Sequence, residues 1–393
     1  MRKITILLLT LLLVNCSSND VELDEISTCD NFTNEVITPG EAETITMDFL
    51  NDLCNSTRST NSKEIESVYA WRFSELYPDE SKRSGTATNN QDTILYIVNF
   101  QNSEGYTLVS AKKESPCVVA YIEEGTLTPN DEIDNPGFKL FLNGLRDWEL
   151  PEPGHEPIQL WANISPMLST RWGQRAPYNM FCFTDSGQQA VAGCVAIAVA
   201  QIVAYHHSPS EYNGHVYDWN AILQSDTVSV TDTIAANSVG HLVRDIGGLV
   251  GTTYGVGQSG AYSSHVYFCL GMFDYNYIQT NGLNRERILN SLLNNRPLYI
   301  SGYYYENGYP IGHAWVIDGS HYGYVEIPGS TPYNSSTQTY FLAHCNWCWK
   351  GKDNGYYVLG AFERKFVTFT TYEDGHYPFN TGIVTYTNVY PIP

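Results

Sequence analysis

The sequence predicts an α+β protein of about two domains, in which a small α+β unit precedes a larger one built from a buried helix and antiparallel sheet. Three observations carry this. The first part of the chain mixes helical spacing with short strand-like runs. A stretch rich in proline and glycine, Pro151-Glu152-Pro153-Gly154-His155-Glu156-Pro157, then breaks the pattern, because such composition resists both helix and sheet. Beyond it, the apolar run Val191 to Tyr205 leads into a long series of β-like segments.

The N-terminus reads as a targeting segment. Met1-Arg2-Lys3 is positive and Ile4 to Val14 is apolar, too short for a bilayer, which takes about 20 apolar residues, but suited to a signal peptide. It ends in Leu13-Val14-Asn15-Cys16, which resembles a bacterial lipobox with Cys16 as the lipidated residue. Asn15 is larger than the residue usual before that cysteine, so an ordinary signal peptide and a soluble exported form stay open. Residues 1–15 are thus the expected signal and 16–40 a polar tether. The expected location is a bacterial membrane, at the outer membrane or cell surface, with release after processing as the variant.

Composition narrows the partners. The net charge is −21, and it falls by two to −23 once Arg2 and Lys3 leave with the signal. Phosphate binding needs a basic footprint, so nucleic acid is excluded as a partner. Of nine cysteines, setting aside Cys16 and Cys194 leaves an odd number, which cannot all pair. No cofactor is expected.

Within 41–150, Glu41 to Leu53 has amphipathic-helix spacing, and three strand-like runs follow at Ile94–Phe100, Tyr106–Ala111 and Cys117–Ile122. Asn102–Gly105 is a turn, and Asn135-Pro136-Gly137 opens a second helix, Phe138–Leu150. No catalytic constellation falls here. Residues 151–160 form the linker, the natural place for cleavage. In 161–393, a helix is expected at Arg285–Asn295 and strands at Pro297–Tyr305, His313–Gly319, Tyr322–Ile327, Thr339–Ala343 and Gly355–Leu359.

Three segments carry the chemistry. Gly193-Cys194 opens the apolar helix that runs to Tyr205. A helix N-terminus presents free N–H groups and partial positive charge, which stabilise a thiolate. His313 begins a strand that puts Trp315 and Ile317 on its own face. Asn346-Trp347 lies further on; an asparagine can fix an imidazole tautomer and a tryptophan can shield that bond. The order Cys, His, Asn over a long span fits nucleophilic catalysis of the papain kind.

Together, Gly193-Cys194-Val195-Ala196, Gly312-His313-Ala314-Trp315-Val316-Ile317-Asp318-Gly319 and Asn346-Trp347-x-Trp349-x-Gly351 resemble the signature blocks of the streptopain family of cysteine peptidases. Ser169 to Asn179 resembles the start of that family's catalytic domain, and residues 41–150, through Gly105–Ala111 and Asn135-Pro136-Gly137, resemble its propeptide. The resemblance implies a papain-like fold and an endopeptidase made as a zymogen. Its partners would be protein or peptide substrates, its own propeptide as intramolecular inhibitor, and a membrane through the N-terminal lipid. It also implies that Cys194 is the nucleophile, His313 the general base, Gln174 an oxyanion donor, Asn346 the orienter of His313 and Trp347 its cover. Two departures stand out: Ile197 replaces a common hydroxyl residue, and Cys348 replaces a usual glycine. Cys345-x-x-Cys348 leaves reduced thiols, a mutual bridge or a metal open, although zinc needs about four ligands and no second such pair exists. A catalytically dead peptide- or inhibitor-binding lipoprotein and a related acyl-transfer enzyme are the competing readings.

Overall fold

The computed structural model describes residues 36–57, 63–77, 92–146, 148, 163–306, 309–327, 336–363 and 381–393. The expected signal, Cys16 and the linker at 151–160 lie outside them.

The N-terminal part contributes α1 (Pro39–Thr57), β1 (Ile65–Arg72), α2 (Phe73–Leu76), β2 (Thr93–Phe100), β3 (Tyr106–Ser110), β4 (Val118–Ile122) and α3 (Pro136–Leu145). Then come α4 (Cys194–His206), β5 (Glu211–Tyr212), β6 (His215–Val216), α5 (Trp219–Ile222), α6 (Thr233–Leu249), α7 (Val266–Met272), β7 (Tyr275–Asn281) and α8 (Arg285–Leu293). The chain closes with β8 (Leu298–Glu306), β9 (Tyr309–Ile327), β10 (Ser336–Asn346), β11 (Gly355–Val358) and β12 (Thr381–Pro391).

Ten of these strands form one sheet in the order β1-β2-β3-β4-β11-β10-β9-β8-β12-β7. The leader and the rest are therefore joined through a backbone ladder, with β4 antiparallel to β11 and Tyr121 opposite Tyr356. The β2–β3 turn is made by Asn102 and Ser103 at positive φ, followed by Gly105 at φ 102°. The helix expected at Phe138–Leu150 starts two residues earlier, at Pro136, and ends at Leu145. Asn135 accepts from the N–H groups of Gly137 and Phe138, and Pro136, which has no N–H to satisfy, takes the first turn.

Alternation along β9 divides the interior into two cores. Trp315 and Ile317 face the core shared with α1, α3 and the leader strands. Ala314 and Val316 face the core built around α4 and α6. α4 is buried almost all round, as its apolar sequence requires.

The sequence reading missed β1, β7, β12 and the long helix α6. The last contains Gly240, Gly247 and Gly248 among Ser, Thr and Asn, a composition of poor intrinsic helix propensity. What makes it helical is an Asp232 cap that accepts from Ala235 N–H and an apolar face buried against α4.

Candidate active site

Cys194 is the first residue of α4, preceded by Gly193 at φ 90°. A β-carbon is strained at that φ, so glycine suits the entry to the helix. The loop in front is held tightly: Ala192 N–H donates to the Gln174 carbonyl at 2.9 Å, and Val191 N–H to the Gly255 carbonyl at 3.1 Å. Cys194 is half-buried. Burial raises its pKa, while the N–H groups of Ala314, Val195 and Cys194 itself pull the other way. Ala314 lies beyond the end of the β9–β10 ladder, whose last pair is Asn346 opposite Val316.

His313 is the neighbour of Ala314 on β9, yet its ring is turned to the opposite core. Its Nε2–H donates to the Trp347 carbonyl at 2.8 Å. Aromatic rings surround it: Trp315 lies parallel at 6.3 Å, Trp349 edge-on at 6.1 Å and Trp347 tilted at 6.4 Å. Burial pushes its pKa down to about 4, the Trp347 carbonyl opposing only in part. The expected Cys194–His313 hydrogen bond is therefore absent from this conformation. Gly137, at the start of α3, lies close against the His313 ring and that of Trp347. A β-carbon added there would overlap the Trp347 ring and lie 2.8 Å from His313 Cδ2. With thiol and imidazole both neutral and apart, the pair as it stands cannot exchange a proton.

The expected Asn346–His313 bond is also absent, for a definite reason. Asn346 Nδ2 donates to the Thr170 carbonyl at 2.7 Å, and its Oδ1 accepts from Gln201 Nε2 and Cys348 N–H, each at 3.2 Å. Both acceptor positions of the amide and one of its two N–H groups are thus engaged by groups other than His313. Trp347 is buried, and its backbone N–H donates to Asn354 Oδ1 at 3.0 Å. Gln174 is half-buried, its backbone tied beside the Cys194 turn. Sequence reasoning overlooked Gln201 and Gly137. The first was legible as the one amide in an apolar helix; the second owes its effect to contacts some 180 residues away in the chain.

Cys345 and Cys348 do not bridge. Both are buried free thiols, but Cys345 packs into the leader-side core and Cys348 into the α4 core. Among the described residues no three metal-ligating side chains converge.

Leader and catalytic part also meet through charge. His344 Nδ1 bonds Asp318 at 2.6 Å and its Nε2 faces Glu123 at 3.5 Å. Burial alone would lower its pKa, but Asp318 and Glu123 carry it up to about 10. His321 lies 3.2 Å from Asp52 of α1, and Arg171 pairs with Glu124 at 2.6 Å.

Similarity to known proteins covers both the leader and the part that carries Cys194 and His313. The profile of the Peptidase C10 family matches residues 172–357, and that of the Spi protease inhibitor matches residues 34–147. The chain is 26% identical over 323 residues to the thiol protease/hemagglutinin PrtT of Porphyromonas gingivalis, across 70% of this chain but only 34% of that relative's length. Against streptopain of Streptococcus pyogenes it is 24% identical over 323 residues, covering 68% of this chain and 74% of streptopain. In fold it is similar to a fragment of Prevotella intermedia prointerpain A, with TM-score 0.57, 21% identity, and coverage of 84% of this chain and 100% of the other.

Proposed function

Because this chain belongs to the streptopain-like C10 family of cysteine peptidases and carries the inhibitor-type leader of a zymogen, we propose that it hydrolyses peptide bonds through a thioester at Cys194, once the leader has left. The observation that supports this most is that Cys194 opens α4 and packs against the same core as Ala314 of β9. His313 is covalently next to Ala314, so its ring can reach the sulfur by side-chain rotation once Gly137 no longer covers it.

His313 then takes the thiol proton, and the thiolate attacks the substrate carbonyl carbon. Gln174 and the Cys194 N–H stabilise the oxyanion; losing one such donor typically costs about a hundred- to thousandfold in rate. His313 returns the proton to the leaving amine, and water hydrolyses the thioester. Trp347 shields the imidazole. Asn346, held by Thr170, Gln201 and Cys348, acts on His313 by anchoring the turn that carries Trp347. Substrates are proteins or peptides. Export with a lipid on Cys16 completes the reading and fits a protease working at or beyond the bacterial surface.

The test is intact-mass analysis of the full-length chain under reducing conditions, beside a peptide-hydrolysis assay. Wild type should lose its N-terminal segment and hydrolyse peptide, whereas Cys194→Ala should stay full length and inactive. Peptide hydrolysis by Cys194→Ala at the wild-type rate would overturn the assignment.

A further inference from the structure

Gln201 is the polar interruption in a helix that is otherwise apolar from Val195 to Ala204. Its side chain is wholly buried and fully used. Oε1 accepts from Trp172 N–H at 3.2 Å, and Nε2 approaches both Asn346 Oδ1 and Cys348 Sγ at 3.2 Å. A buried amide without partners costs several kcal/mol, so a polar residue here is tolerable only with such a set. The partners belong to two different segments. Trp172 lies two residues before Gln174, and Asn346 and Cys348 flank Trp347. A further backbone bond, Lys350 N–H to the Trp172 carbonyl at 3.1 Å, runs between the same two segments.

Cys348 adds an independent sign of function. It sits at φ 59°, a conformation that is unfavourable for a residue with a β-carbon. Its N–H donates to Asn346 Oδ1 and its sulfur meets Gln201, so the strained turn is pinned from the nucleophile helix.

We propose that Gln201 is a positioning residue of the peptidase site, whose side-chain amide locks the Trp172–Gln174 strap and the Asn346–Cys348 turn in register with the helix that carries Cys194. This rests on the peptidase reading above and assigns the alignment of oxyanion donor and imidazole cover to one uncharged group. Gln201 touches no reacting atom; it acts through Gln174 and Trp347.

The experiment compares full-length wild type, Gln201→Met and Gln201→Glu. Each is matured by a trace of tagged wild-type enzyme that is then removed, and kcat and KM are measured per active site titrated with a thiol-directed epoxide. Gln201→Met should lower kcat per titrated site by tenfold or more with KM changed less than threefold. In Gln201→Glu a protonated carboxyl can both donate to Asn346 and accept from Trp172, and burial favours that protonated form. Its kcat per site should approach wild type in acid and fall away as pH rises, a profile wild type does not share. That variant decides the matter should Gln201→Met fail to fold. Wild-type kcat per titrated site in Gln201→Met, or a Gln201→Glu profile that parallels wild type, would overturn the proposal. If wild type itself hydrolyses nothing, or Cys194→Ala matches it, the peptidase reading has failed instead.

Discussion

Two polar clusters flank the site, one buried and one partly exposed, and they are built from opposite materials. Around Gln201 every contact is between uncharged groups: amides, a thiol and backbone N–H and carbonyl. At the seam with the leader, contacts are ionisable: His344 between Asp318 and Glu123, His321 with Asp52, Arg171 with Glu124. Uncharged hydrogen bonds do not titrate, so they suit parts that must stay aligned through every turnover. Charged pairs respond to proton concentration, so they suit a joint that must eventually open. The leader is also held by the β4–β11 ladder and a shared apolar core, so these ionisable pairs are the part of the joint that responds to pH.

The largest expected break in this contrast comes from Gly137. Gly137→Leu forces α3 away from Trp347 and His313, since even a β-carbon overlaps them. The precursor should then react with a thiol probe at least tenfold faster than wild type while Gln201-dependent kcat after processing is unchanged. An unaltered labelling rate in a folded variant would show that α3 does not hold His313 away.

A smaller effect sharpens the charged side. Against burial, His344 has its pKa raised from 6.5 to about 10 in the precursor, first by Asp318 of its own part and then by Glu123 of the leader, so the leader's share of that stabilisation is present at neutral pH and lost as pH climbs through about 10. His313 has the reverse sign: lowered from 6.5 to about 4, it leaves latency unpenalised above 6.5 and weakens it increasingly as pH falls toward 4. Retention of a nicked leader should therefore be strongest between these flanks. Glu123→Gln should reduce retention a few-fold at neutral pH and move its alkaline loss to lower pH, read by co-elution of the two fragments. Superimposable retention profiles for variant and wild type would remove Glu123 from the joint.

Much of this was written locally. The helix opening at Cys194 and the strand character around His313 follow from neighbouring residues alone, although the two strands expected at His313–Gly319 and Tyr322–Ile327 are one continuous strand. What sequence could not supply was orientation across the sheet. Strand periodicity puts His313, Trp315 and Ile317 together, but not which core they enter. Asn346 could be read as a partner of His313 because Gln201, the group that claims it, lies 145 positions away. Cys345 and Cys348 have bridging spacing, yet Cys348 at positive φ turns its sulfur toward α4. Likewise α6 owes its form to burial against α4 more than to its own composition.

Activation requires His313 to swing from the Trp347 carbonyl to the Cys194 sulfur when the leader departs, and the pH dependence of Cys194 alkylation reads that step directly. In the precursor, where burial lifts the thiol pKa, alkylation should be slow at neutral pH and rise only in the alkaline range. After processing it should be fast at neutral pH, with an acidic inflection that His313→Ala abolishes. Identical profiles for precursor and processed enzyme, or a processed His313→Ala that reacts like wild type, would contradict it.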